Sequence, residues 1–510
     1  MINHRKHFPL YLALFLAFII CCRVLWIQHG WITNDSILYF EMARYFSVGD
    51  FTAAHAVEGY SWGFYPALIG MVHAISGLTL QASANLLIII FFMLLVSGLM
   101  RMVSIAGGNQ WMQFYAVLLL LGSNYIVGNI LPMASRDLGY WALLVHAVNQ
   151  LILFYQHGLW KHAIYWQILA FIATLFRIEG AIQLLVLPIA GLFVSRSVPM
   201  NVKKFAQPYS LLIFSSLLAP IVLWVMHIGL EDLGRVKEIF NGLRDIELNF
   251  TQNLIHRIHV MRDVVIGEAF EEYSWFTFLL AYFSIATIKS LSVAGWGPPL
   301  LVFSEKYSIR KSMQPVAYKV LLFWMFVSWV IGCLITFKVN LLSGRYVALF
   351  GFVLIVFSSF ALYKLLHEQK NKISPAKKLV LILAAFTVLA GFISNIKPKA
   401  ADFYYEIDAV AYVKTKLPQG QHALYASAKQ RFYADAPYDG RIDYDWEDLE
   451  KRIADGSIRQ YAYVVIKHDD TPEEQAKLKH WQQQLIGYQL DKTFYGHKRK
   501  KQLLVFKRID

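Results

Sequence analysis

Several ionisable side chains in this 510-residue chain stand at the edges of apolar runs. Asp35 follows the first run and Arg23 lies near that run's end. Glu58 precedes a short apolar stretch, and Arg136 and Asp137 open another run. Arg177 and Glu179 sit between two runs. Lys338 and Arg345 bracket the approach to a late run, and Tyr346 follows Arg345. Charges at a membrane boundary are costly and are functional candidates for that reason. A carboxylate at a wet membrane edge can take the proton of an acceptor hydroxyl or amine. Arg and Lys can bind a phosphate and stabilise the charge building on a leaving group. Together they suit transfer of a group from a lipid-linked phosphate. None of these residues has metal-ligand spacing, so no cofactor is expected, and a divalent ion is an unsupported addition.

Each candidate also has a plainer reading. Asn34 or Asp35 can cap a helix. Arg136 and Asp137 can start one, because an acid in the first turn suits the dipole. Arg177 and Glu179 can be an ion pair joining two helices. Lys338, Arg345 and Arg23 can anchor helix ends at the interface. His55 and His73 have no partner pattern and read as interfacial side chains.

Hydrophobic residues make up 57% of the chain and charged residues 16%. A soluble domain carries about 25% charged residues. A soluble enzyme and a disordered chain are both excluded. Cys21, Cys22 and Cys333 lie in apolar runs and form neither a disulfide framework nor a zinc pattern. The formal charge of +14 resides almost wholly in the apolar part: residues 400–510 hold 18 basic and 17 acidic residues. No nucleic-acid partner is expected. Basic loops on one side of a polytopic membrane protein explain the excess.

Apolar segments that can cross a bilayer lie at 9–27, 82–103, 111–128, 138–156, 163–176, 180–194, 208–229, 274–303, 316–337, 346–363 and 379–396. The segment 62–78 is short for a crossing. If it lies on the membrane, one side collects 16 basic residues against Glu305 and Glu368. The opposite side then holds 28–61 and 230–273. About eleven crossings are expected, with a cytoplasmic N-terminus and an outer C-terminus in the inner (plasma) membrane. The stretch 274–303 contains Gly-Trp-Gly-Pro-Pro and reads as a kinked helix or a helix with a re-entrant piece. No cleaved signal peptide is expected.

Two outer segments and a tail follow. A helix in 28–61 puts Leu38, Met42, Tyr45 and Phe46 on one face and reads as amphipathic. The stretch 230–273 carries nine acids and five bases and reads as a helical loop. The expected organisation is a membrane domain over 1–399, with 28–81 as its first external loop, and an extracytoplasmic domain over 400–510. In the tail, 423–427 and 462–467 read as strands. Trp446–Asp455 and Pro472–Leu485 read as helices, the second capped by Thr471. Tyr488–Phe506 reads as a hairpin with Gly496 near its turn. This predicts a small α/β domain without a phosphate loop.

The run Asn34-Asp35-Ser-Ile-Leu-Tyr-Phe-Glu-Met-Ala-Arg44, then Gly49-Asp-Phe and Gly63-Phe-Tyr-Pro66, resembles the first external loop of GT-C fold glycosyltransferases. The nearest group is the protein O-mannosyltransferase and lipid A aminoarabinose transferase type. Ser135-Arg-Asp137 resembles that family's second-loop acid, and Phe176-Arg-Ile-Glu-Gly180 its basic-x-Glu-Gly turn. Gly344-Arg-Tyr346 resembles the opening of a late helix in the family. Ser follows Asp35 where many members have a second acid, and Tyr65-Pro66-Ala67 replaces a Pro-Pro pair. The resemblance implies a polytopic α-helical GT-C fold, a polyprenyl-phosphate sugar donor, inverting transfer and Asp35 as base.

The expected activity is transfer of a hexosyl or pentosyl group to a protein, lipid or glycan acceptor. Asp35 and Asp137 are the candidate catalytic acids. Arg345, Lys338, Arg23, Glu58, Arg177, Glu179 and Tyr346 are the candidate substrate and lipid-phosphate contacts. Membrane lipids are further expected partners. The rival readings are a transporter or lipid flippase, which predicts charges near the bilayer midplane such as Lys289, and an assembly factor acting through its tail.

Overall fold

The computed structural model describes residues 4–28, 32–57, 62–194, 202–225, 251–266, 268–368, 374–398, 401–496 and 501–509. Its internal contacts divide the chain into two compact units. One comprises Met1–Val24, Leu86–Leu131 and Arg136–Ile396. The other comprises Leu25–Asn85, Pro132–Ser135 and Lys397–Asp510.

The helices before the tail run in chain order. They are α1 (His4–Ile27), α2 (Asn34–Ser47), α3 (Phe51–His55), α4 (Phe64–Ser76), α5 (Leu80–Ile105), α6 (Gln110–Leu121), α7 (Asp137–His157) and α8 (Trp160–Phe176). The chain continues through α9 (Glu179–Val194) and α10 (Ser210–Val225). Next come α11 (Thr251–Val260), α12 (Ser274–Ser292), α13 (Gly297–Ser312), α14 (Pro315–Val339), α15 (Gly344–Tyr363) and α16 (Pro375–Asn395).

The described part of each expected crossing is largely helical. Among the described residues seven helices are long and apolar enough to cross a membrane, or eight if one bent pair is a single span. Helix α8 has 17 residues, about 25 Å at 1.5 Å per residue. Helix α9 is short and passes through a tight turn at Pro188. Pro220 lies inside α10, and the rest of the expected 208–229 segment is outside the described residues. Helix α4, at 13 residues, is too short to span, in line with its demotion from the crossings.

The bent pair is α6 and the π-helical turn Asn124–Ile130, at 56°. Backbone groups freed at such a bend need partners. Asn395 donates to the carbonyls of Leu121 at 2.9 Å and Ser123 at 3.2 Å. The Ser123 hydroxyl accepts from Ile126 N–H at 3.2 Å and donates to Val293 O at 2.9 Å.

The stretch 274–303 is two helices rather than one kinked helix. Gly295 adopts φ +86°, the left-handed region that glycine tolerates. Pro298 and Pro299 then stand in the first turn of α13, where no N–H is missed. Lys306, Arg310 and Lys311 thus lie on a helix instead of in a loop. Buried Glu305 pairs with Lys377, and the charge count had put both on one side of the membrane. Lys289 lies in the last turn of α12 and is exposed.

Helix α15 is the centre of the first unit. All residues from Val347 to Ala361 are buried. A helix apolar on every side belongs in a core or a membrane. Its Ser358 hydroxyl bonds to Leu354 O at 2.6 Å and Pro298 O at 2.9 Å, so no polar group is stranded there.

In the second unit α2 packs on α4. A Cβ at Gly70 would meet Ala43 O at 2.6 Å, so only glycine permits this approach. Tyr39 and Tyr65 meet edge to face at 5.4 Å. Ser36 to Ala43 are all buried, so α2 is enclosed beyond the single face that an amphipathic pattern predicts.

The tail forms α17 (Ala401–Lys416), β1 (His422–Tyr425), α18 (Ala428–Ala434), α19 (Trp446–Ala454), β2 (Tyr461–Asp469), α20 (Pro472–Gln484), β3 (Tyr488–Tyr495) and β4 (Lys501–Arg508). The strand order is β1-β2-β4-β3. β1 and β2 are parallel, whereas β4 runs antiparallel to both neighbours. Alternation along β2 sends Tyr463 and Val465 to α17 and Val464 and Ile466 to α19 and α20. The expected strands, both expected helices, the Thr471 cap and the hairpin are all present. Helices α17 and α18 add to them. The expected loop 230–273 lies in part outside the described residues, and its 251–266 portion is helical.

Candidate functional site

Asp137 is the first residue of α7, and Arg177 ends α8 in extended conformation. Glu179 opens α9, where its charge suits the helix dipole. The break between α8 and α9 therefore points one guanidinium at two carboxylates. Arg177 Nη1 donates to Asp137, and Nη2 and Nε donate to Glu179 at 2.8 and 3.3 Å. The side chains of Arg177 and Asp137 are 3% and 2% exposed. In that setting an unpaired charge is strongly disfavoured, so the trio is held as a unit.

Aromatic rings extend the cluster. Arg177 Cζ lies 4.7 Å from the Tyr346 ring centroid and 6.0 Å from that of Tyr140. Arg345 Cζ lies 5.5 Å from the same Tyr346 ring, so one phenol borders two guanidiniums. The Tyr125 hydroxyl accepts the Arg345 backbone N–H at 2.8 Å and bonds Ser343 Oγ at 2.9 Å. A Cβ at Gly344 would stand 2.7 Å from the Tyr125 ring, so glycine makes room for this contact.

The structure thus brings together Asp137, Arg177, Glu179, Arg345 and Tyr346. Tyr125 and Tyr140 join them without having been singled out from the sequence. Tyr140 carried a signal, being three residues after Asp137 and on its helix face. Tyr125 carried a weaker one, following a Gly-Ser-Asn break in an apolar run.

The other candidates are placed as follows. Asp35 is in the first turn of α2 and exposed. Thr33 is the N-cap, in a reciprocal box with Ser36, so neither Asn34 nor Asp35 caps the helix. Lys338 is exposed in the last turn of α14. Arg23 is exposed on α1, four residues before its end. Glu58 lies outside the described residues. Among the described residues no three His, Cys, Asp or Glu side chains come together as a metal-ligand set.

Chemically, the cluster in the first unit offers a fixed cation, Arg345 at a helix N-terminus, and a neutral aromatic wall. Helix N-termini and arginine both suit an anionic oxygen group. The carboxylate of Asp137 is committed to Arg177, which suits positioning better than proton transfer.

No family model and no curated protein matches the chain. Solved structures do. ArnT from Cupriavidus metallidurans bound to undecaprenyl phosphate aligns with a TM-score of 0.57 at 12% identity, over 98% of both chains. The apo state of that protein gives 0.56 at 14% identity, again over 98% of both. The apo oligosaccharyltransferase of Archaeoglobus fulgidus gives 0.49 at 13% identity, over 92% of this chain and 70% of that one.

Proposed function

From its GT-C fold, we propose that this chain is an integral-membrane glycosyltransferase using a polyprenyl-phosphate-linked sugar. The observation that carries the reading is the end-to-end likeness to a structure holding undecaprenyl phosphate. Arg345, at the start of α15, supports it, since such a donor brings a phosphate that needs a cation. The membrane is the inner (plasma) membrane, with the N-terminus cytoplasmic and the tail domain outside. The acceptor is a protein, lipid or glycan at the outer face.

In this reading Asp35 takes the proton of the acceptor hydroxyl or amine. The acceptor's oxygen or nitrogen forms the new bond to the anomeric carbon, and the bond from that carbon to the phosphate oxygen breaks. Polyprenyl phosphate leaves, and the sugar's configuration inverts. Arg345 stabilises the charge that grows on the phosphate, assisted by Lys338 or Arg23. Asp137 is the second acid, acting by holding Arg177. Glu179, Glu58 and Tyr346 shape the substrate cavity.

The test is mass spectrometry of envelope proteins and lipids from cells with and without the chain. A sugar-sized mass on one acceptor class, lost in Asp35→Asn at normal protein levels, is expected. Full transfer by Asp35→Asn overturns the role of Asp35. The absence of any covalent product alongside measured lipid translocation overturns the reading as a transferase.

A further inference from the structure

A cavity of about 310 Å³ opens within the second unit. Its walls include Glu41 and Tyr45 of α2, Ala53 and Ala56 of the α3 turn, and Tyr438 and Asp439 of the tail. No Lys or Arg lines it among the described residues. The Glu41 side chain is 8% exposed, yet its charged neighbour, Arg44, stands 3.7 Å away. That is beyond hydrogen-bond length, and among the described residues no donor reaches the Glu41 carboxylate. Buried carboxylates otherwise find donors or cations. Burial pushes the Glu41 carboxyl above the ordinary glutamate range, and Arg44 draws it back in part. Asp439 is better served: it accepts from the Tyr444 hydroxyl and lies 3.6 Å from Arg431.

We propose that this cavity is a binding site for a primary ammonium group, seated on Glu41 with Asp439 as its second anion. The lining carries two carboxylates and no cation, with Arg44 and Arg431 standing outside it at 3.7 and 3.6 Å from the acids, so the lining itself suits a positive occupant. Glu41 lacks a donor, so the occupant must bring N–H groups, and an ammonium brings three. A quaternary amine brings none. A calcium ion takes six to eight oxygen ligands, more than these two acids and two phenols supply. The volume is at the bottom of the roughly 300–1,000 Å³ range of ligand pockets, which fits one headgroup or one small amine. Glu41 follows Asp35 by six residues, about 9 Å along the helix axis. The proposal concerns binding alone and stands independently of sugar transfer.

The test uses the full chain in phosphatidylglycerol nanodiscs, titrated with ethanolamine at neutral pH and followed by calorimetry. Saturable binding is expected for ethanolamine and none for tetramethylammonium. Glu41→Gln is expected to weaken binding at least about tenfold, because it removes the charge that assists the hydrogen bonds. Ala56→Leu, which fills the cavity and keeps the acid, is expected to weaken it likewise, and carries the test if Glu41→Gln does not fold. Binding of free ethanolamine assigns a soluble amine as the source. Retention of phosphatidylethanolamine in native mass spectra, dependent on Glu41 and without binding of the free amine, assigns a lipid headgroup. Binding of neither source, equal binding of tetramethylammonium, or unchanged binding in both variants overturns the proposal.

Discussion

Arg177 donates to the carboxylate of Asp137, a residue forty positions earlier, and their side chains are 3% and 2% exposed. Glu179 completes the trio at 2.8 Å from the same guanidinium. One cation therefore neutralises two anions, and the three substitutions differ in consequence. Arg177→Met strands both carboxylates and is expected to cost about 3–5 kcal/mol. Asp137→Asn costs less, because Arg177 keeps Glu179. Replacing all three by apolar residues of similar volume is expected to recover most of the stability and none of the transfer activity. Thermal unfolding in nanodiscs, run beside a transfer assay, checks the order; equal costs for the two single variants contradict it.

Asp35 is exposed in the first turn of α2, while Thr33 does the capping. Stability and activity are therefore separable here. Asp35→Asn is expected to change stability by no more than about 0.5 kcal/mol and to abolish transfer. Thr33→Val removes the capping oxygen and is expected to cost about 0.5–2 kcal/mol. Unfolding midpoints and product yields measured on both variants decide the point. A large loss of stability in Asp35→Asn makes Asp35 structural.

Tyr125 holds the start of α15 through the Arg345 backbone N–H at 2.8 Å. Gly344→Ala drives a methyl group into its ring and is expected to cost about 1–3 kcal/mol, the usual range for overpacking. Tyr125→Phe keeps the ring and loses two hydrogen bonds, at roughly 0.5–1.5 kcal/mol each. Both variants are expected to raise the donor KM through Arg345. A donor KM unchanged in both separates Tyr125 from substrate binding.

Lys429 in the tail is buried and lies 3.6 Å from buried Glu406. Burial lowers the Lys429 pKa; Glu406 and Asp443 raise it again and Lys467 lowers it further. Its folded value is below its unfolded value, so the unfolded chain takes up this proton first as pH falls. The associated stability is present above the ordinary lysine value and is lost as pH falls through the folded one. Thermal scans across that alkaline range are expected to show this slope. It steepens in Glu406→Gln, which removes the favourable neighbour, and flattens in Lys429→Met/Glu406→Gln. An identical slope in all three proteins rules out Lys429 as its source.

Much of this was legible along the chain. Helices α5, α7, α14, α15 and α16 follow from hydropathy alone, because enough apolar residues in a row leave few other conformations in lipid. The tail's strands and capped helices follow from alternation and from Thr471. The cap of α2 was misplaced by one or two residues, since Thr33, Asn34 and Asp35 are all good caps and only the geometry with Ser36 selects one. The two-helix form of 274–312 was open because Gly-Trp-Gly-Pro-Pro fits a kink as well as a break.

The sequence by itself determined the chemical class of the chain: apolar helices, a basic excess confined to the apolar part, an α/β tail, and acids and arginines at helix ends. Those are local properties, set by residues within a few turns of one another. The tertiary structure decided which of the charged residues meet. Asp137 joins Arg177 across a helical hairpin, and Tyr125 joins Arg345 across 220 residues. It also enclosed Glu41 beside Tyr438 and Asp439. Such pairings depend on close packing of segments distant in sequence, which no local periodicity encodes.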